Sequence, residues 1–143
     1  MTLRLRRQPS QTPEIEVFPS SASSDASSWW WPAASPASNA LTADENEIWN
    51  AGRFAPASIR FTFDAPFTCK RIELLPCMMP VKGHVVHAFR TASFATQIRL
   101  EATDRQWITV DFINEGLHFR TIEIVTLESP SWVAWRCVRF WKN

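Results

Sequence analysis

His84 and His87 bracket two valines, a spacing that brings two imidazoles onto one metal ion only when the segment is helical. The run from His84 to Arg90 reads as a strand instead, and residues three apart on a strand face opposite sides. A zinc site at this pair is therefore rejected. Asp104 and Asp111 sit near strand-like runs but lack the pattern of a paired general acid and base. No Ser-His-Asp or Cys-His arrangement has the local context of an activated nucleophile, and three glycines in all leave no phosphate cradle. The sequence reads as that of a non-enzyme, unless it serves as an accessory to one.

Binding chemistry is better represented. Trp29, Trp30 and Trp31 are adjacent, and alternate side chains of an extended segment point opposite ways. At least one indole, with Trp30 as the candidate, is expected to be exposed or covered by another part of the chain or by a partner. The competing reading is a loop folded over a sheet edge with its tryptophans tucked in. The three cysteines, Cys69, Cys77 and Cys137, are odd in number, lack a C-x-x-C spacing and lie in or beside apolar runs. They are read as buried, reduced thiols.

The elements that must position such groups follow from composition and period. With 143 residues, 45% hydrophobic and 20% charged, the chain is long enough and apolar enough to bury one core. Fifteen basic and fourteen acidic residues leave a net charge of +1, which gives no electrostatic reason to expect nucleic acid as a partner. Arg4, Arg6 and Arg7 cluster in residues 1–13, expected to be a loose basic arm ahead of a domain spanning 14–143. No apolar stretch approaches the roughly 20 residues of a membrane span. No apolar segment of a signal peptide follows the charged start, so the chain as it stands is expected in the cytoplasm, with secretion by another route as the alternative.

From Ile59 onward the period is two. Ile59, Phe61 and Phe63 alternate with polar residues, as do Ile72 and Leu74, then Ile98, Leu100 and Ala102. Ile108, Val110 and Phe112 follow, then Ile122 and Ile124, and finally Val138 and Phe140. Turn residues separate the runs, among them Asp64-Ala-Pro66, Asn114-Glu-Gly116 and Ser129-Pro130. With residues 14–18 and His84 to Arg90, this makes about eight short strands and no convincing helix, an antiparallel β-sandwich of the jelly-roll kind. Between them, residues 19–39 are rich in Ser, Ala and Pro and form a longer loop than a compact domain usually tolerates without purpose.

Two stretches carry a resemblance. The first is Asn39-Ala-Leu-Thr-Ala-Asp-Glu-Asn-Glu-Ile-Trp49-Asn50-Ala-Gly52, followed by the strand at Ile59 to Phe63. The second is Arg120-Thr-Ile-Glu-Ile-Val-Thr-Leu-Glu-Ser-Pro-Ser-Trp132-Val-Ala-Trp135-Arg136-Cys137-Val138. Together they resemble bacterial discoidin domains, the coagulation factor V/VIII C-type family, whose fold is a galactose-binding-like jelly roll. The resemblance spans residues 14–141; the closing motif is specific and the opening one degraded. Where the family has Asp-Gly this chain has Thr42-Ala43, and its late Glu is Cys137.

Those departures bear on calcium, which many members of the family hold with the acidic loop and the late Glu. Calcium takes several hard oxygen ligands, and a thiol is a poor substitute. Asp44 and Glu47 are the remaining candidate carboxylates, against the plainer reading of a solvated acidic loop. The resemblance further implies ligand binding by loops at one end of the sandwich, where an aromatic ring stacks on a sugar and planar polar groups fix its orientation. The positions that match by place are Asn50, Arg53, Lys82, His84 and Trp132. Trp132 and Trp135 are also readable as core or rim packing, Arg53 as a surface charge, and Trp49 as core.

Two functions remain. One is a carbohydrate-binding module using that loop end; the other is a protein-interaction or structural domain using the Trp-rich loop, self-associating or accessory to a secreted enzyme or toxin. The neutral charge and abundant aromatics favour the first. The missing signal peptide favours the second, because most sugar-binding relatives act outside the cell.

Overall fold

The computed structural model describes residues 2–6, 14–24, 37–42, 44, 46–113 and 116–143, and the side chains of all these except 2–6 and 113. Eleven strands are found among the described residues: β1 (Thr2–Arg6), β2 (Ile15–Val17), β3 (Ser21–Ser24), β4 (Trp49–Phe54), β5 (Ala57–Cys69), β6 (Arg71–Pro76), β7 (Gly83–Arg90), β8 (Ala95–Ala102), β9 (Ile108–Ile113), β10 (Leu117–Glu128) and β11 (Trp132–Lys142). A single 3-10 turn, Ala37–Leu41, packs against β11 and β3.

The strands form two antiparallel sheets. One has the order β1-β9-β6-β11-β2, with β4 also paired to β11; the other has the order β3-β5-β10-β7-β8. The roughly eight strands expected from the sequence are all present. β1, β3 and β4 are additions, and β1 places residues 2–6 of the expected loose arm in a strand. Its backbone pairs with β9 from Thr2↔Ile113 to Arg6↔Thr109, capping the edge of the first sheet. Leu3 and Leu5 give that segment the alternation a strand uses.

The core lies between the sheets and is aromatic at its centre. Ile59, Phe61 and Phe63 of β5 point inward and are fully buried, as their alternation requires. Phe63 meets Phe67 at 4.8 Å, Phe119 at 5.7 Å and, from the opposite sheet, Phe140 at 5.0 Å. Each edge-to-face pair adds about 0.5–1.5 kcal/mol beyond the area it buries, so this cluster locks one sheet on the other. Cys69, Cys77 and Cys137 are buried free thiols, and burial pushes the Cys69 thiol up to about 12.

Antiparallel order gathers the connections at two ends. The β4–β5, β6–β7, β8–β9 and β10–β11 connections share one end, here the loop end; β5–β6, β7–β8 and β9–β10 turn at the other. The far-end turn into β10 depends on Gly116, whose φ of 76° lies in the left-handed region. A Cβ there would stand 2.7 Å from Thr68 Cγ2 and 3.0 Å from the Cys69 carbonyl oxygen. Gly116→Ala is therefore expected to lower stability by about 1–3 kcal/mol, read as a fall in the urea midpoint at unchanged slope.

Candidate functional site

At the loop end β4 runs antiparallel to β11, with Phe54 opposite Trp132. The two rings meet edge to face, 6.3 Å apart at 88°. Phe54 is 60% exposed and Trp132 half-buried, so one ring is offered to solvent and the other braces it. Two more large apolar side chains stand exposed at this end, Met78 at 39% and Val81 at 79%, both in the β6–β7 loop. Of the five exposed large apolar residues among those described, three lie here. That concentration makes the loop end the candidate site.

The β6–β7 loop holds its shape against strain. Met78 and Lys82 have φ of 61° and 54°, a region costly to side chains with a Cβ. Three contacts hold the loop. The Asn50 Nδ2 donates to Met78 Sδ at 3.4 Å, the Lys82 N–H donates to Thr103 Oγ1 at 2.9 Å, and Gly83 lies so close to Pro130 that a Cβ there would sit 3.0 Å from its ring. Beside it, Arg136 on β11 forks onto Asp104 in the β8–β9 loop, Nε to Oδ1 at 3.3 Å and Nη2 to Oδ2 at 3.2 Å. Asp104 is thus a structural anchor for a loop. A surface held this way is preorganised, which lowers the entropy lost on binding.

Arg53, Lys82 and His84 are exposed at this same end, where they can supply directional hydrogen bonds around the apolar centre. Asn50 is different: it is 4% exposed, and its Oδ1 accepts the Gly52 N–H at 2.9 Å. Its amide is spent on the loop, so it shapes the surface from beneath. Phe54, Met78 and Val81 are the residues that sequence reasoning missed. Part of their signal was available, since Val81, between Pro80 and Lys82, lies outside every alternating run. Trp30 and its neighbours lie outside the described residues.

Under this surface sits His87, on the core face of β7. Its Nδ1 is 3.0 Å from Thr126 Oγ1, and its ring lies 4.9 Å from that of Trp135 on β11. Burial lowers its pKa from 6.5 to about 4, so the ring is neutral at physiological pH. His84, three residues away, is exposed on the strand.

Among its described residues, the acidic loop does not offer calcium a matching donor set. Asp44 Oδ1 accepts the Asn46 N–H at 2.9 Å, and both Asp44 and Glu47 project into solvent. Cys137 donates its thiol to the Thr42 carbonyl at 3.5 Å, taking an oxygen that a hard cation would need. Among the described residues no three His, Cys, Asp or Glu side chains converge on one point.

No protein-family model matches the chain, and no curated protein sequence does. Solved structures do. The family 32 CBM from C. perfringens NanJ in complex with galactose superposes with a TM-score of 0.67 at 13% identity, covering 91% of this chain and 100% of that one. The fold is the discoidin-type, galactose-binding-like jelly roll. The CBM32 of AlyQ in complex with 4,5-unsaturated mannuronic acid shares this jelly roll with a TM-score of 0.67 at 12% identity, over 90% of this chain and 99% of that one. CBM32-1 from a family 31 glycoside hydrolase of Clostridium perfringens gives 0.64 at 20% identity, over 87% and 96%. The near-complete coverage in both directions makes the described strands a whole discoidin-type jelly roll, with the loop end built from its own connections.

Proposed function

We propose that this chain is a non-catalytic carbohydrate-binding module that takes its sugar at the loop end. One observation carries the reading: an exposed Phe54 ring braced edge-on by Trp132, within an apolar surface rimmed by Arg53, Lys82 and His84. A pyranose presents a C–H face that packs on a flat ring and hydroxyls that pair with planar or charged groups at its edge. Similar solved structures hold galactose and 4,5-unsaturated mannuronic acid, which supports the sugar reading.

The test is a glycan array with the purified chain beside Phe54→Ala and Trp132→Ala. The wild type is expected to bind a defined sugar class, and Phe54→Ala to weaken that binding at least about tenfold, the scale of a central aromatic anchor. Phe54 is exposed, so this variant should keep the wild-type unfolding midpoint. A folded chain that binds no glycan sinks the proposal and directs the search to protein partners, beginning with the Trp29–Trp31 segment.

A further inference from the structure

We propose a second site, separate from the loop end, on the outer face of the five-stranded sheet: a cationic cleft that takes a carboxylate-bearing saccharide of the hexuronate type. The cleft encloses about 430 Å³ and is lined chiefly by Arg60, Arg90, Arg120, His118, Thr121 and Glu123, with the β7–β8 turn as its wall. This volume falls within the ~300–1,000 Å³ range of small-molecule sites.

Register and one irregularity bring these groups together. Glu123 stands opposite Arg60 on β5 and opposite Arg90 on β7, so the three cross the sheet side by side. The β5–β10 register shifts between Phe119 and Thr121. Phe119 and Ile122 both face the core, which leaves Arg120 and Thr121 between them on the outer side, while across the shift β5 has the four residues 63–66 where β10 has Arg120 alone. Arg120 Nε donates to the Phe63 carbonyl at 3.0 Å, which fixes the guanidinium while leaving its terminal nitrogens for other acceptors.

The charge is unbalanced. Three guanidiniums face one carboxylate, a local surplus larger than the +1 carried by the whole chain. Arg60 approaches Glu123 at 3.6 Å, but Arg90 and Arg120 have no carboxylate partner among the described residues. Planar forks of this kind match a carboxylate geometrically. Glu123 refines the choice of ligand. A phosphate dianion at neutral pH has little to donate and would be repelled by it, whereas a sugar monoanion gives its carboxylate to the arginines and its hydroxyls to Glu123. The threonine and serine hydroxyls of the lining suit the same ligand, and no large apolar side chain stands exposed there to anchor a peptide.

This inference does not depend on the loop-end reading. The probes are galacturonate and galactose, which differ at C6, titrated by calorimetry into wild type, Arg90→Ala and Phe54→Ala, with inorganic phosphate as competitor. Galacturonate should bind at least tenfold more tightly than galactose in Phe54→Ala. Arg90→Ala should weaken galacturonate about tenfold, and added salt should weaken it in the wild type. Arg90 is exposed, so its variant should keep the wild-type melting temperature. Three results overturn the proposal: no galacturonate binding by the folded chain, binding lost in Phe54→Ala but unchanged in Arg90→Ala, or phosphate displacing galacturonate at equal concentration. Failure of the loop-end reading would appear separately, as neutral-sugar binding absent or indifferent to Phe54→Ala.

Discussion

As the pH falls from 6.5 toward 4, the domain is expected to lose about 3 kcal/mol of folding stability through one side chain, His87. Its pKa is 6.5 in a solvated chain and about 4 in the fold, where burial disfavours the imidazolium. Between those values the unfolded chain binds the proton and the folded one does not, so acid draws the equilibrium toward unfolding. The contribution is fully present above pH 6.5, declines through the window and is exhausted below about 4. At ~1.4 kcal/mol for each factor of ten in proton affinity, the separation amounts to about 3 kcal/mol. His87→Gln keeps a partner for Thr126 Oγ1 but does not titrate, so its stability should be nearly flat where the wild type falls. Urea midpoints at pH 7, 5.5 and 4.5 decide it, and a variant that falls in parallel with the wild type removes His87 as the cause. The ring rests on Trp135, three residues along β11 from Trp132. Acid should therefore loosen the loop-end surface from below as well as the core.

Much of this fold is legible in the sequence because half-buried strands announce themselves by alternation. Ile59, Phe61 and Phe63 on β5, or Ile108, Val110 and Phe112 on β9, need only a count by two. β4 escaped that count for a physical reason: Trp49, Asn50, Ala51 and Gly52 are all buried, so burial does not alternate along the strand, and Gly52 carries a φ of 72°. β3 is Ser-Ala-Ser-Ser, an edge strand with no large side chain to mark its inner face. The loop end was legible as a place, since motif position marked Arg53, Lys82, His84 and Trp132. Its composition was not, because whether Asn50 points out or down depends on Met78, 28 residues away. The outer cleft is less legible still. Arg60, Arg90 and Arg120 come from three strands and meet only through strand register and the shift near Arg120.

The largest single-residue loss is expected at Arg71, a charge that no period could have placed inside. It sits on β6 with 6% of its side chain exposed, and its Nη2 lies 2.7 Å from the Glu14 carboxylate, itself 8% exposed. Glu73 approaches the same nitrogen at 3.9 Å, Asp111 stands opposite in the β6–β9 register, and the guanidinium lies over the Trp141 ring at 4.9 Å. Arg71 thus neutralises the Glu14 carboxylate, which folding has taken out of water, with Glu73 close by. Arg71→Met retains most of the packing volume and takes the guanidinium away from the buried Glu14 carboxylate, a loss of about 3–5 kcal/mol for an orphaned buried charge. Glu14→Gln should be milder, because Glu73 remains within reach of the guanidinium. The double variant should lose well under the sum of the two single losses, since removing Arg71 and one of its carboxylates together leaves less unpaired charge than removing Arg71 alone. Additive losses across this double-mutant cycle, or an Arg71→Met change below about 1 kcal/mol, would mean the pair behaves as an exposed one. Glu14 stands directly before β2, so this ion pair also clamps the start of that strand to the sheet that carries the loop end.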